Sequence, residues 1–257
     1  GGRSILHSKF EPAEILKTIE QHRVERISLV PTMMRALVDC PQRDQYDVSS
    51  LKYVRAGAAP LNETLRSDFS QLFDCRFSDG YGQSESTCVV TALPDGESFV
   101  PQSVGLPIPG VDVCIQDEQG NHLPAGHAGE VCFRGPSIMK GYWKHPEATE
   151  QAIIDGWLHS GDVGHLDENG YLFITDRKKD LIIKGGENIS PRQIEDAIHQ
   201  HPAVVECSVF GVPDDAFQEE IAVAVVLQTD AATSIDELVA TTGQYVSKFK
   251  QPKHVWF

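Results

Sequence analysis

Cys75-Arg76-Phe77-Ser78-Asp79-Gly80-Tyr81-Gly82-Gln83-Ser84-Glu85 is the stretch that decides the fold. Its first four residues read as a strand, which runs into a glycine-rich turn at Asp79-Gly80-Tyr81-Gly82. Upstream, Leu61, Leu65, Phe69, Leu72 and Phe73 mark one face of a helix. Before that helix, Leu51-Lys-Tyr-Val54 is a second strand candidate, ending in Ala56-Gly57-Ala58-Ala59-Pro60. Earlier still, Ile27-Ser-Leu-Val30 is a β-rich run closed by Pro31. Phe10-Glu11-Pro12 opens a helix with Ile15, Leu16 and Ile19 on its apolar side, Pro12 suiting a first turn. Helix and strand alternate throughout, so residues 1–103 predict an α/β layer with parallel strands and ligands at the strand ends.

Downstream the pattern changes. Residues 104–175 carry short alternating strands (Val111, Val113, Ile115; then Val131, Phe133), with turns at Glu118-Gln-Gly-Asn121 and Asp167-Glu-Asn-Gly170. One short helix near 146–153 interrupts what reads as an antiparallel β subdomain. Residues 1–175 are thus one large domain, and 176–257 a small α+β domain. In the latter, Ser190-Pro191-Arg192-Gln193 reads as a capping box opening a helix through Ile194, Ala197 and Ile198. Strands follow at 204–212 and 221–227. A second box, Ser234-x-x-Glu237, opens a helix carrying Ile235, Leu238, Val239 and Val246.

The 257 residues hold 22 Lys+Arg against 37 Asp+Glu, a net charge of −15 that argues against a non-specific nucleic-acid or anionic-membrane binder. No apolar run approaches the ~18 residues of a membrane span, and no secretory pattern opens the chain. Six cysteines at 40, 75, 88, 114, 132 and 207 are spaced for neither a zinc ribbon nor a disulfide framework. They read as buried, reduced thiols of a cytoplasmic protein.

Three stretches have the chemistry of a site. In Tyr81-Gly82-Gln83-Ser84-Glu85, small residues let a phosphate approach the backbone, a hydroxyl can bond it, a carboxylate can hold Mg²⁺, and an aromatic ring can stack on a base. Alone, it is also an ordinary glycine turn. In His159-Ser160-Gly161-Asp162, following Trp157 in a tight turn, Asp162 can accept from two sugar hydroxyls. In Asp176-Arg-Lys-Lys-Asp180 and Lys184-Gly185-Gly186-Glu187-Asn188, four cations in a strongly acidic chain read as an anion clamp or as a solvated face. Two rival readings stand beside these. Gly82-x-Ser84-x-Ser86 with Asp162 and His165 approaches a serine-hydrolase triad, although the elbow needs glycine where Ser86 stands. A non-catalytic nucleotide- or partner-binding protein would also keep Asp162 and Arg177.

The order of the motifs weighs most. Gly57-Ala-Ala-Pro60, Tyr81-Gly-Gln-Ser-Glu85, Gly129-Glu130 with Gly141-Tyr142, Asp155-Gly-Trp-Leu-His-Ser-Gly-Asp162, Asp176-Arg-Lys-Lys-Asp180 and Gly185-Gly-Glu-Asn-Ile-Ser-Pro191 together resemble the adenylate-forming superfamily, over essentially the whole chain. The wording at 155–162 and 184–189 is similar to its acyl-CoA synthetases. The resemblance implies that Tyr81 stacks on adenine while Gly57, Ala58, Ala59 and Pro60 border the base and the acyl pocket. Gly82 lies beside the nucleotide. Ser84, where the family more often has Thr, contacts phosphate, and Glu85 holds Mg²⁺. Asp162 binds the ribose hydroxyls, Arg177 reaches ribose or phosphate, and Lys179 is the hinge of the small domain. Lys184, Gly185 and Gly186 border the pantetheine channel of CoA, and Val30, Met33 and Gly80 the acyl pocket.

The implied reaction is ATP-dependent adenylation of a carboxylic acid, followed by transfer of the acyl group to CoA. Neither the family's Ser/Thr/Gly-rich pyrophosphate loop nor its C-terminal Thr-Gly-Lys lysine occurs in these residues. With Gly1-Gly2-Arg3 at one end and Val255-Trp256-Phe257 at the other, both ends read as cut, and the isolated chain is expected to adenylate poorly. Gln218 departs from the family, which often has Gly there. The particular acid and the oligomeric state are not legible.

Overall fold

The computed structural model describes residues 2–56, 63–77, 80–94, 100–229 and 231–257. It divides into two compact units. Unit 1 comprises Gly1–Val113, Phe133–Gln151 and Asn169–Phe173; unit 2 comprises Cys114–Cys132, Ala152–Glu168 and Ile174–Phe257.

In unit 1, α1 (Pro12–His22) begins on its proline and buries Ile15, Leu16 and Ile19. Arg23 closes it at φ 48, its N–H returning to the Ile19 and Glu20 carbonyls. β1 (Arg26–Leu29) follows. Pro31, read as a strand stop, is instead the first residue of α2 (Pro31–Val38), a helix the sequence reading missed. The proline does both: it cannot extend a strand ladder, and its fixed φ suits a first helical turn. β2 (Tyr53–Ala56), α3 (Glu63–Phe73) and β3 (Arg76–Phe77) complete the layer. β1, β2 and β3 pair in parallel, with Arg26 opposite Tyr53 and Tyr53 opposite Arg76, as alternating helices and strands require. Leu16, Ile19, Leu29, Met34, Leu37, Val54 and Phe69 form one core. Leu65, Phe69 and Phe73 are buried on α3, but Leu72, in its last turn, stays 40% exposed.

The turn expected after β3 holds another small sheet. β4 (Gly80–Tyr81), β5 (Thr91–Ala92) and β6 (Leu106–Pro107) pair antiparallel in that order. Glycine is required here by close approach: a Cβ on Gly80 would lie 2.7 Å from the Thr91 carbonyl oxygen, and one on Gly82 2.4 Å from that of Cys88.

The β subdomain contains β7 (Asp112–Gln116), β8 (Gly129–Arg134), α4 (Pro146–Ala152), β9 (Ile153–Ile154), β10 (Trp157–Leu166) and β11 (Leu172–Arg177). The sheet order is β11-β10-β8-β7, with β9 on β10. His159–Asp162 is therefore strand and not the tight turn expected. The turn is Asp155-Gly156, both left-handed at φ 50 and 80, which joins β9 to β10 as a two-residue hairpin loop.

The rest of unit 2 is α+β. β12 (Ile182–Lys184) and β13 (Glu187–Ile189) form a hairpin, followed by α5 (Pro191–Ile198), β14 (Val204–Asp214), β15 (Gln218–Leu227), α6 (Ile235–Thr242) and β16 (His254–Trp256). β14 and β15 form a long antiparallel hairpin, and β16 lies parallel to β15. Ile182, Ile194, Ile198, Ile221, Val223 and Leu238 form its core. The Ser234–Glu237 capping box closes in both directions. At α5 only one arm exists: Ser190 Oγ accepts from Gln193 N at 3.1 Å, while Gln193 Oε1 accepts from Lys250. Val246 is buried but lies beyond the end of α6. The last stretch of unit 2 begins at Ile174, two residues before the expected start of the small domain.

Candidate nucleotide-binding residues

In unit 1 the parallel strands set the stage. Val30 follows β1, and Gly80 lies three residues beyond β3. Both lie near the carboxyl ends of strands in this sheet, where open α/β sheets bind ligands. Gly57, Ala58, Ala59 and Pro60 themselves lie outside the described residues. Val30 is the extended, half-buried N-cap of α2, and Met33 packs half-buried against the unit's core.

Tyr81 ends β4, its ring half-buried and 5.7 Å from that of Phe133. After Gly82, residues Ser84–Ser86 form a single 3-10 turn capped by Gln83. Ser86 Oγ is buried and bonded both to Gln83 N and to Gln83 O. Ser84 is exposed. No α-helix follows it, so the strand–turn–helix elbow of a serine hydrolase is not formed. Thr87 and Cys88 are both left-handed, at φ 57 and 81. Each such residue costs about 1–2 kcal/mol, and backbone strain of this kind collects at functional sites.

Glu85 is held from two sides. Its carbonyl accepts from Met139 N at 2.7 Å, and its Oε1 accepts from the Tyr142 hydroxyl at 2.8 Å. That bond to the Glu85 carboxylate, with some burial, raises the Tyr142 hydroxyl above its ordinary pKa. Thr87 Oγ1 donates to Ser137 O at 2.6 Å, fixing the same loop. Gly141, at φ 149, lets the loop pass Thr149, whose Cγ2 a Cβ would meet at 2.6 Å. The sequence marked Gly141-Tyr142 as a motif, but nothing in it signalled that the tyrosine orients Glu85.

In unit 2, Asp162 lies within β10 with its side chain 13% exposed, and its Oδ1 is 3.6 Å from Arg177 Nε at the end of β11. The structure thus brings together two residues that stand fifteen apart. Glu130 on β8 accepts from Gly161 N at 3.1 Å and from Lys178 Nζ at 2.9 Å, and its Oε2 lies 3.2 Å from His159 Nδ1. Burial raises the Glu130 carboxyl, but the bonds to Lys178 and His159 outweigh it and hold the group below the usual range. Cys132 lies beneath, fully buried, its thiol pushed up by Cys114 and by burial. Burial likewise takes Cys75 and Cys207 to about 12, and all six cysteines are free.

The basic cluster is not a row of available cations. Arg177 faces Asp162, Lys178 is bonded to Glu130, and Lys184 is paired with Glu220. Lys184 is only 7% exposed; it also donates to Phe249 O at 2.9 Å and lies 4.8 Å from the Phe249 ring centre. An ammonium so enclosed is a support for its hairpin rather than part of an anion clamp. Gly185 and Gly186, at φ 58 and 85, form the two-residue tip between β12 and β13 and are exposed. Lys179 is exposed in the 3-10 turn Lys178–Asp180. Asp176 keeps one buried carboxylate oxygen without a hydrogen-bond partner, and burial raises its pKa.

Among the described residues no group of three or more His, Cys, Asp or Glu could hold a metal ion. A lone carboxylate such as Glu85 nevertheless fits Mg²⁺, which takes one or two protein carboxylates and otherwise phosphates and water.

The sequence pattern of AMP-binding enzymes matches residues 1–143, and that of the AMP-binding enzyme C-terminal domain matches 193–257. The chain belongs to the AMP-binding enzyme family. It is 38% identical over 255 residues to the medium/long-chain-fatty-acid–CoA ligase FadD8 of Mycobacterium tuberculosis, covering 98% of this chain and 45% of that protein. It is 40% identical over 261 residues to the feruloyl-CoA synthase of an Amycolatopsis species, covering 100% of this chain and 52% of the relative. Its α/β fold superposes on ATP-bound MatB from Rhodopseudomonas palustris with a TM-score of 0.91 at 34% identity, over 98% of this chain and 50% of MatB. The chain spans about half the length of the curated relatives it matches. Asp162, Arg177, Lys179 and Gly185-Gly186 fall between the two family-matched stretches, within the span shared with those AMP-binding relatives. Among the described residues no helix is long and apolar enough to cross a membrane.

Proposed function

We propose that the protein carrying this chain is an AMP-forming carboxylic acid–CoA ligase. The observation that carries the reading is the likeness, along nearly the whole chain, to a fatty-acid–CoA ligase and a feruloyl-CoA synthase. In the first step the acid's carboxylate oxygen attacks the α-phosphate of ATP, forming acyl-AMP and releasing pyrophosphate. In the second the CoA thiolate attacks the acyl carbonyl, and AMP leaves. Positioning and charge stabilisation do most of the work in such displacements.

In unit 1, Tyr81 stacks on adenine, with Gly57–Pro60 beside the base and Gly82 giving its backbone close access. Ser84 bonds phosphate. Glu85, oriented by Tyr142, would hold Mg²⁺; when bound, that ion neutralises phosphate charge. In unit 2, Asp162 accepts from the ribose hydroxyls, and Arg177, 64% exposed, leans from Asp162 toward ribose or phosphate. Lys179 is the hinge of the C-terminal family domain, which we place from residue 176 onward. Gly185 and Gly186 present bare backbone to pantetheine, with Lys184 bracing them from within. Val30, Met33 and Gly80 border the acyl group, an acid larger than acetate. Six free cysteines support a reducing, cytoplasmic setting.

Acid-dependent exchange of pyrophosphate into ATP by the whole protein tests this reading, with fatty and aryl acids as the panel. Asp162→Ala removes a charged acceptor whose hydrogen bonding is worth about 1.5–3 kcal/mol, so KM for ATP rises about ten- to a hundredfold. Exchange that ignores the acid, or an unchanged KM in the variant, contradicts it.

A further inference from the structure

Glu130 has no place in the roles above, yet it touches both stretches that carry them. Its side chain is 12% exposed in β8, and its two oxygens serve three partners. Oε1 takes the N–H of Gly161, the residue before Asp162, at 3.1 Å. Oε2 takes Lys178, the residue after Arg177 and before Lys179, at 2.9 Å, and lies 3.2 Å from the His159 ring. One carboxylate therefore ties β8 to β10 and to the end of β11, all within unit 2.

The local backbone explains why a tie is needed. Gly161 is left-handed at φ 74 inside a strand, and its N–H donates to the Glu130 side chain. Glu130 therefore holds β10 at Gly161, and Asp162 is the next residue. Arg177 is likewise terminal in β11, and its pairing with Asp162 at 3.6 Å depends on where both backbones stand. A carboxylate this enclosed is costly to leave unpartnered, so its donors hold it as firmly as it holds them.

We propose that Glu130 is a positioning residue for the nucleotide site. It fixes Asp162 and Arg177 relative to one another and anchors the turn from which the Lys179 hinge starts. This rests on the reading of Asp162 as the ribose-binding group.

Calorimetric titration of the whole protein with AMP, alongside hydrogen exchange of the 157–166 segment, tests it. Glu130→Ala weakens AMP binding about tenfold, the scale of one charge-assisted bond, and speeds exchange at 157–166. Glu130→Gln, which keeps an acceptor for Gly161 N, recovers much of both. Wild-type affinity in Glu130→Ala, or a Gln variant no better than Ala, overturns the inference and leaves the ribose reading standing. No AMP binding by the wild-type protein overturns the ribose reading, and the inference with it. If Glu130→Ala does not fold, Lys178→Met, on a half-exposed side chain, replaces it with an expected loss of about threefold; no loss there overturns the inference.

Discussion

Tyr142 and Lys184 show opposite corrections that side-chain contacts make to a motif. Tyr142 gains a task, since its hydroxyl holds the Glu85 carboxylate at 2.8 Å. Tyr142→Phe removes a bond to a charged group worth about 1.5–3 kcal/mol. The Mg²⁺ concentration for half-maximal pyrophosphate exchange then rises; an identical Mg²⁺ dependence would remove Tyr142 from the site. Lys184 loses a task, because Glu220 and the Phe249 carbonyl enclose it. For Glu220, burial raises the carboxyl, but the bonds from Lys184 and from Ile221 N prevail and hold it below its ordinary 4.5. The pair's stabilisation is therefore complete above about pH 4.5 and is lost as pH falls through the lowered folded value. Removing one partner of a buried pair costs about 3–5 kcal/mol. Glu220→Gln thus lowers the melting temperature at pH 7 and narrows its gap to wild type below pH 4; a variant equally stable at pH 7 refutes the pairing. Residue type alone could not separate these two fates, because both depend on partners distant in sequence.

At the scale of elements, the parallel layer was legible because apolar period and breakers agree: Ile15, Leu16 and Ile19 are the buried stripe of α1. α2 was not, since Pro31 marks a strand's end and a helix's start alike, and the helix has only eight residues in which to show a period. The sheet β4–β6 was invisible because its strands are two residues long and pair over many intervening residues. Gly80, expected to border the acyl pocket, also admits the Thr91 backbone at close range, so Gly80→Trp would disturb that sheet first. Gln218, noted as a departure from family glycine, is left-handed at φ 73 at the start of β15. Gln218→Gly relieves about 1 kcal/mol of backbone strain, and a raised denaturation midpoint checks it; a lower one means Gln218 makes compensating contacts.

At the scale of the molecule, the −15 charge takes on a different meaning. With Lys178 and Lys184 committed to carboxylates, the proposed binding of the polyanions ATP and CoA would fall, within unit 2, to Arg177, exposed Lys179 and the backbone of Gly185 and Gly186 rather than to a basic patch. The order of motifs was enough to recognise the family, since each motif answers to a chemistry that fixes residue type locally. The networks around Glu85 and Glu130 were beyond it, because the Tyr142 loop reaches Glu85, and β8, β10 and β11 join one sheet, only after folding. The direct measurement is product analysis of the whole protein with ATP, CoA and a fatty or aryl acid. Acyl-CoA, AMP and pyrophosphate are expected in equal amounts, with acyl-AMP accumulating when CoA is withheld. ADP and phosphate as products, or AMP bound without any turnover of acid, would contradict the proposed reaction.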